Sequence, residues 1–265
     1  MKKSDVLSAW GCYRPIHISI VGGEPLVRWR ELDALLPKLD AMKVEVQLVT
    51  SAVRPLPAHW SAISALHLVV SVDGLAEEHD RRREPATYDR ILKHIDGHSV
   101  IVHCTITGPM LRRDGYLHDF ADFWSRRPEA RKIWFSLFTP QEDEWCEERL
   151  TTVDRQRAIE QLTAVAAGFP KVHMPRAVLD GYLRPPETPD ECIFAQSTVC
   201  VSADLKTRVT PCQFGGKPVC AECGCMASSG PDWPASGRYA LAGLVPISAL
   251  FSISRKIGSL VGEAA

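Results

Sequence analysis

The sequence predicts an α/β fold built on a parallel sheet. Five apolar, β-branched runs recur along the first 140 residues, helix-like apolar periodicity lies between most of them, and each run closes on small, polar, turn-forming residues. Near-continuous apolar strands suit a sheet buried on both faces, and the polar strand ends mark the side on which such sheets bind ligands.

The first run, His17–Val21, stops on Gly22-Gly23-Glu24-Pro25. Over residues 29–42, Leu32, Leu35, Leu36 and Leu39 share one helical face, with Pro37 expected to kink or shorten the helix. The second run, Val44–Val49, ends on Thr50-Ser51, and the third, Leu66–Val72, leads into Asp73-Gly74. A helix over 87–97 gathers Tyr88, Ile91, Leu92 and Ile95, with Thr87 as N-cap and Gly97 as stop. The fourth run, Val100–Ile106, ends on Thr107-Gly108. The next helix aligns Leu117, Phe120, Ala121 and Trp124, and the fifth run, Lys132–Phe138, ends on Thr139-Pro140. The runs start about 22 to 34 residues apart, which fits βα units. Five units are too few for a closed eight-stranded barrel, so a partial barrel or an open doubly wound sheet is expected.

After residue 140 the pattern changes. Residues 141–150 read as an acidic linker, 153–169 as a helix with Ile159, Leu162, Ala166 and Phe169 on one face, and 183–191 as a proline-rich break. A cysteine-rich segment follows, and residues 246–261 read as an amphipathic helix. The expected organisation is a βα body over 1–145, helix and linker over 146–190, the cysteine-rich segment over 191–230, and a loop and helix over 231–265.

Composition narrows the function. With 45% hydrophobic and 24% charged residues, the 265-residue chain has the means to bury a core. A formal net charge of -1 points to no polyanionic partner, so nucleic acid is not indicated. No apolar run reaches the roughly 18 residues of a membrane span. The N-terminal stretch has two lysines but no apolar core of a secretory signal, so the expected compartment is the cytoplasm. Of nine cysteines, Cys192, Cys200, Cys212, Cys220, Cys223 and Cys225 fall within 34 residues. In a cytosolic chain, such clustered thiols point to metal rather than to disulfides. Cys220-x-x-Cys223 is a chelating turn used for both zinc and iron–sulfur clusters, and soft thiolates alone do not choose between them. Cys12, Cys104 and Cys146 read as ordinary residues.

The corner after the first run admits two readings. Gly22-Gly23 gives positive-φ freedom and lets a ligand approach the backbone, Glu24 adds a carboxylate, and Pro25 fixes the exit. A plain tight βα turn needs the same residues. Asp73-Gly74 is likewise a turn dipeptide as well as a candidate contact. Arg81, Arg82 and Arg83 read as a solvated charge run or as a source of one substrate or carboxylate contact.

The stretch ISIVGGEPLVR resembles the GGEP segment of radical SAM enzymes. SVDGLAEEHDRRREPATYDRIL is similar to the family's fourth-strand segment, in which a Ser-x-Asp-Gly strand end leads through an Arg-containing loop into a helix. VIVHCTITG and KIWFSLFTP fit the fifth and sixth strands, so the resemblance covers about residues 16–140. It implies a partial (β/α)6 TIM-like barrel lacking its first strand. It also implies S-adenosylmethionine bound by the backbone of Gly22, Gly23 and Glu24 beside Pro25, with Ser71 and Asp73 reaching its carboxylate or ribose and Thr105 lining the pocket. The hairpin-like VSADLKTRVTPC is similar to SPASM or twitch extensions, which bind auxiliary [4Fe-4S] clusters. That implies Cys200 or Cys192 with Cys212, Cys220 and Cys223 as ligands, and Cys225 as an alternate. Two all-cysteine cubanes would need eight thiolates, more than the segment has.

The family's catalytic CxxxCxxC motif, which precedes GGEP, has no counterpart here; only Cys12 lies upstream of Gly22. Residues 1–15 read as the tail of the helix before the first run. N-terminal truncation or a mis-set start is the expectation, against a degenerate member or a barrel completed by a partner chain. The resemblance implies reductive cleavage of S-adenosylmethionine to a 5′-deoxyadenosyl radical that abstracts a substrate hydrogen. It further implies an electron donor such as a flavodoxin or ferredoxin, and a small-molecule or peptide substrate that the sequence does not identify. The alternative is a non-catalytic binding or scaffold protein whose cysteine-rich module holds Zn2+.

Overall fold

The computed structural model describes Pro15, residues 17–228 and two short strands at 240–241 and 245–246. Its centre is a five-stranded, wholly parallel sheet in the order β1-β2-β3-β4-β5. The strands are β1 (His17–Ile20), β2 (Glu45–Thr50), β3 (Leu66–Ser71), β4 (Val100–Ile106) and β5 (Ala130–Leu137). All five strands fall where the apolar runs do, because β-branched residues with little polar interruption suit a sheet covered on both faces. Sequential parallel order with a helical crossover between most neighbours is the architecture of a partial β/α barrel.

The crossovers supply α1 (Trp29–Ala41), α2 (Ala76–Arg83), α3 (Tyr88–His94), the short α4 (Gly108–Leu111) and α5 (Tyr116–Ser125). One face of the sheet meets these helices in a single core. Leu32, Leu35, Leu36 and Leu39 of α1 pack there with Val70, Val102, Ile106, Phe120, Trp124 and Phe135, all buried. Helix α1 runs through Pro37 to Ala41 instead of ending at it. Burial of its leucine face outweighs the hydrogen bond that proline removes. Gly97 turns at φ 75, and Thr87 takes the extended N-cap conformation.

Helix α2 is the main departure in the body. The Arg-containing loop expected over residues 81–83 is the last turn of this helix. Its sequence AEEHDRRR has no apolar stripe, and what anchors it is His79, fully buried. The backbone N–H of Asp73 donates to His79 Nδ1 (3.0 Å). The proton therefore lies on Nε2, which donates to the Ala86 carbonyl (2.8 Å).

Residues 146–190 supply two further helices to the same core. Helix α6 (Thr152–Gly168) starts on a capping box in which Thr151 and Asp154 satisfy each other's N–H groups. It buries Ala158, Ile159, Leu162 and Val165. Helix α7 (Arg176–Leu183) buries Val178, Leu179 and Tyr182. The acidic stretch after β5 is tied down, with Gln141 bridging to Pro218 and the Glu142 N–H donating to the Lys217 carbonyl. The short helix α8 (Ile193–Ser197) opens the cysteine-rich segment.

The outer edge of β5 is satisfied by three segments in turn. The Ile133 N–H donates to the Lys171 carbonyl (2.8 Å), and the His173 N–H donates to the Ile133 carbonyl (3.0 Å). The Phe135 carbonyl accepts from the buried Tyr182 hydroxyl (2.7 Å). The Leu137 N–H donates to the Gly224 carbonyl (2.9 Å). These bonds leave the edge no free pairing surface at residues 133–137, which blunts its tendency to recruit another strand.

Near the C-terminus, β6 (Ala240–Leu241) pairs antiparallel with β7 (Val245–Pro246). The helix expected over 246–261 lies outside the described residues apart from Pro246, and the helix tail expected over 1–15 lies outside them apart from Pro15. Among the described residues no helix is long and apolar enough to cross a membrane.

Tyr182→Phe removes the donor to the Phe135 carbonyl while conserving ring packing. It is expected to cost about 1–3 kcal/mol, read by chemical denaturation, because a buried acceptor is left unmet.

Candidate functional site

The C-terminal ends of the strands carry the candidate residues on one end of the sheet. Gly22 (φ 83) and Gly23 (φ 53) both lie in the left-handed region, so the corner requires glycine at each. A Cβ at either would meet nothing within 4 Å, so the backbone there is open to a ligand.

Glu24 does not project from this corner. Its Oε1 accepts from the Leu26 N–H (2.8 Å) and the Thr50 hydroxyl (2.5 Å). Its Oε2 accepts from the Ser51 N–H (2.8 Å) and from the Ser51 hydroxyl. The carboxylate therefore staples the corner to the end of β2, and Pro25 opens the 3-10 turn that follows. Only the backbone at Gly22–Glu24 remains for a ligand.

Ser71 closes β3, opposite His103 in the register, and His103 in turn lies opposite Trp134. Two residues further along, Thr105 lies opposite Ser136. With a side-chain period of two, these five residues share the sheet face away from the helix-covered core. His103 and Ser136 are joined by a hydrogen bond (2.8 Å). Burial presses the His103 pKa down to about 4, so the ring is neutral and serves as a hydrogen-bonding group. Below this row the face turns apolar, with Val69 and Ile101 packed against Trp134 beside Met226. His103 and Ser136 are absent from the residues that the sequence singles out; the available signal is a polar residue at alternate positions of otherwise apolar strands.

Asp73 is buried and paired with Arg83, whose Nε donates to Oδ2 (2.6 Å). Arg82 lies 3.9 Å from the same oxygen and pairs more closely with Glu148 (2.9 Å). Arg81 pairs with Glu77 on the surface. The arginine run thus divides, one facing solvent, one fixing Asp73 and one reaching the segment after β5.

The cysteine-rich segment closes over the end of β5. Cys192, Cys212, Cys220, Cys223 and Cys225 all line one cavity, together with Thr139, Pro211 and Phe214. Cys200 lies off that cavity, at the start of a hairpin closed by Ser202 N–H to the Thr207 carbonyl (2.8 Å) and turned by Asp204. Between the two candidates offered by sequence, Cys192 rather than Cys200 joins the others at the cavity wall. Cys104 is buried in the sheet core, Cys146 lies outside the cavity lining, and Cys12 lies outside the described residues.

The cavity is bound to the barrel by backbone. Besides the Leu137–Gly224 bond, the Gly224 N–H donates to Thr139 Oγ1 (2.9 Å), which lies 3.9 Å from Cys223 Sγ. A Cβ at Gly224 would sit 2.1 Å from the Leu137 carbonyl oxygen, so only glycine fits. Two arginines from outside the segment hold its Cys220–Cys223 turn. Arg149 donates from Nε to the Glu222 carboxylate (2.8 Å), and Arg155 donates to backbone carbonyls of the turn.

Burial raises the pKa of Cys212 and Cys220, and that of Cys225 to about 12, with neighbouring thiols adding to each. These three thiols would have to lose their protons to bind a metal. The donor set is all sulfur and soft. A single tetrahedral zinc ion needs sulfurs about 4 Å apart, given Zn–S bonds near 2.3 Å. Among the described residues no three His, Cys, Asp or Glu side chains are already grouped as a metal site, so binding zinc or an iron–sulfur cluster would draw the thiols together. An all-sulfur donor set suits a zinc ion and an iron–sulfur cluster alike.

No protein-family model matches the chain, and no curated protein matches it by sequence. Solved structures share its fold. Native anSMEcpe with bound AdoMet aligns with a TM-score of 0.56 at 14% identity, over 80% of this chain and 64% of that one. SuiB of Streptococcus suis aligns at 0.52 and 16% identity, over 63% of this chain and 41% of that one. SuiB bound to the precursor peptide SuiA aligns at 0.50 and 17% identity, over 63% and 40%. The chain therefore spans less than two thirds of the length of each, and what is shared is the α/β fold with its parallel sheet.

Glu24→Gln is expected to lower stability by about 1–3 kcal/mol in a denaturant titration, because an amide NH2 would face two of the four donors now bound. Acid sensitivity is a second expectation. Burial holds His79 and His103 below the ordinary value of 6.5, so below that pH the unfolded chain binds more protons than the folded one. Their contribution is complete above pH 6.5 and is lost as pH falls toward 4, and His103→Gln should flatten the dependence of the urea midpoint on pH.

Proposed function

We propose that the chain is a radical SAM enzyme, or the C-terminal part of one, that binds S-adenosylmethionine at the strand ends and carries an auxiliary [4Fe-4S] cluster. One observation carries the reading. The sulfur-lined cavity is backbone-paired to the C-terminal end of β5, the same end of the sheet that bears the Gly22–Glu24 corner, Ser71 and Thr105.

In this reading the open backbone of Gly22 to Glu24 receives the amino group of S-adenosylmethionine, and Glu24 fixes the corner from behind. Ser71 and Thr105 offer neutral hydrogen bonds to the rest of the molecule. Asp73, its charge offset by Arg83, is an acceptor suited to ribose hydroxyls more than to a carboxylate. Cys192, Cys212, Cys220 and Cys223 ligate the cluster, with Cys225 as the alternate. S-adenosylmethionine would supply one-electron chemistry on a substrate hydrogen once reduced by a cluster held in a CxxxCxxC motif, whose cysteines are not among these groups; the residues named here would bind and orient the cofactors and keep water out. The fold is shared with a structure that has AdoMet bound and with one bound to a precursor peptide, and of the two open substrate classes, small molecule and peptide, we put forward a peptide.

Equilibrium dialysis with labelled S-adenosylmethionine tests the proposal. The anaerobically prepared chain should bind it saturably. Gly23→Val should abolish binding while the circular dichroism spectrum keeps its helix and sheet content, because a branched side chain is not tolerated at φ 53 and would force the corner out of its binding conformation. Absence of saturable binding by the unmutated chain, or equal binding by both, would contradict the assignment.

A further inference from the structure

Arg155 stands in the first turn of α6, where a cation gains nothing from the helix dipole. Its side chain turns inward. Nη1 donates to the carbonyls of Tyr182 (2.8 Å) and Cys223 (3.1 Å), and Nη2 donates to the carbonyl of Glu222 (2.6 Å). The guanidinium fork thus joins the end of α7 to the Cys220–Cys223 turn from behind. Among the described residues no carboxylate lies within ion-pair distance of it, and the nearby Glu222 carboxylate is taken by Arg149. Guanidinium stays charged in proteins, so a positive charge is held in a partly desolvated place with only carbonyl dipoles as direct partners. The field of a Cys223 thiolate acts on it favourably.

Resting on the auxiliary-cluster reading, we infer that Arg155 is a positioning residue that also acts electrostatically. It holds the Cys223 loop in place and supplies the counter-charge for the anionic, thiolate-ligated cluster, setting its reduction potential. A [4Fe-4S] cluster with four thiolates is a net anion, and reduction makes it more negative. A fixed cation close by favours the reduced form and raises the potential, since net charge and local hydrogen bonding are what tune such clusters. A structural clamp alone would not require a charge, because carbonyls also accept from neutral amides, though less strongly.

The test is a dye-mediated redox titration of the iron–sulfur signal, followed by electron paramagnetic resonance, on the reconstituted full chain and its Arg155→Gln and Arg155→Lys variants. Arg155→Gln should move the midpoint to more negative potential. Arg155→Lys, which keeps the charge and loses the fork, should stay near the unmutated value. If Arg155→Gln fails to hold iron, Arg155→Lys decides: a cluster at the unmutated potential supports the inference, and loss of the cluster there too reduces Arg155 to a clamp and overturns it. Equal potentials in all three proteins, or the same shift in both variants, overturn it while leaving the cluster intact. Stoichiometric zinc without sulfide in the unmutated chain overturns the cluster reading itself, and the inference with it.

Discussion

The outer edge of β5 is the constraint on which the rest of the molecule depends. A parallel strand at the edge of a sheet presents unpaired N–H and C=O groups that burial would leave unmet. Here residues 133, 135 and 137 are met in turn by the 171–173 segment, by Tyr182 and by Gly224. Each partner comes from a different part of the chain after residue 140. The hydrogen bonds that finish the sheet therefore also fix where α7 and the cysteine-rich segment must lie. Gly224 cannot carry a side chain because it approaches the strand so closely, and Cys223 and Cys225 flank it. The placement of the thiols follows from sheet completion.

The same economy runs through the charged groups. Glu24 is consumed by four hydrogen bonds within the corner, Asp73 by Arg83, and Glu222 by Arg149. What remains on the open face of the sheet end is neutral: two glycine backbones, the hydroxyls of Ser71, Thr105 and Ser136, and an uncharged His103. Such a surface suits a ligand whose own charges find partners elsewhere, or whose contacts are hydrogen bonds and stacking. Arg155 is the exception, a half-buried cation with no carboxylate in ion-pair range among the described residues, and it lies behind the cysteines rather than on the sheet face.

Much of the body is legible in the sequence because its cues are local. The five strands, the leucine face of α1 and the aromatic face of α5 announce themselves through periodicity, which decides structure where one face must be buried. The glycine corner is legible for the same reason, since positive φ at two successive positions leaves few alternatives. Three things are not legible. Helix α2 has no apolar stripe and depends on one buried histidine bonded across a turn. The role of Glu24 depends on Thr50 and Ser51, 26 and 27 residues away. The choice of Cys192 over Cys200 depends on how the segment folds against β5, through contacts such as Gly224 with Thr139 that span 85 residues. Cysteine density suggests a site, but only tertiary packing selects which cysteines share a cavity.

An iron–sulfur cluster in this cavity would show most directly in the iron, sulfide and zinc content of the anaerobically purified chain with its visible spectrum. About four iron and four sulfide per chain are expected, as a [4Fe-4S] cluster requires, lost in Cys220→Ala and Cys223→Ala and retained in Cys200→Ala. One zinc per chain with no sulfide would contradict the cluster reading, and would make the segment a structural zinc module on a barrel-like scaffold.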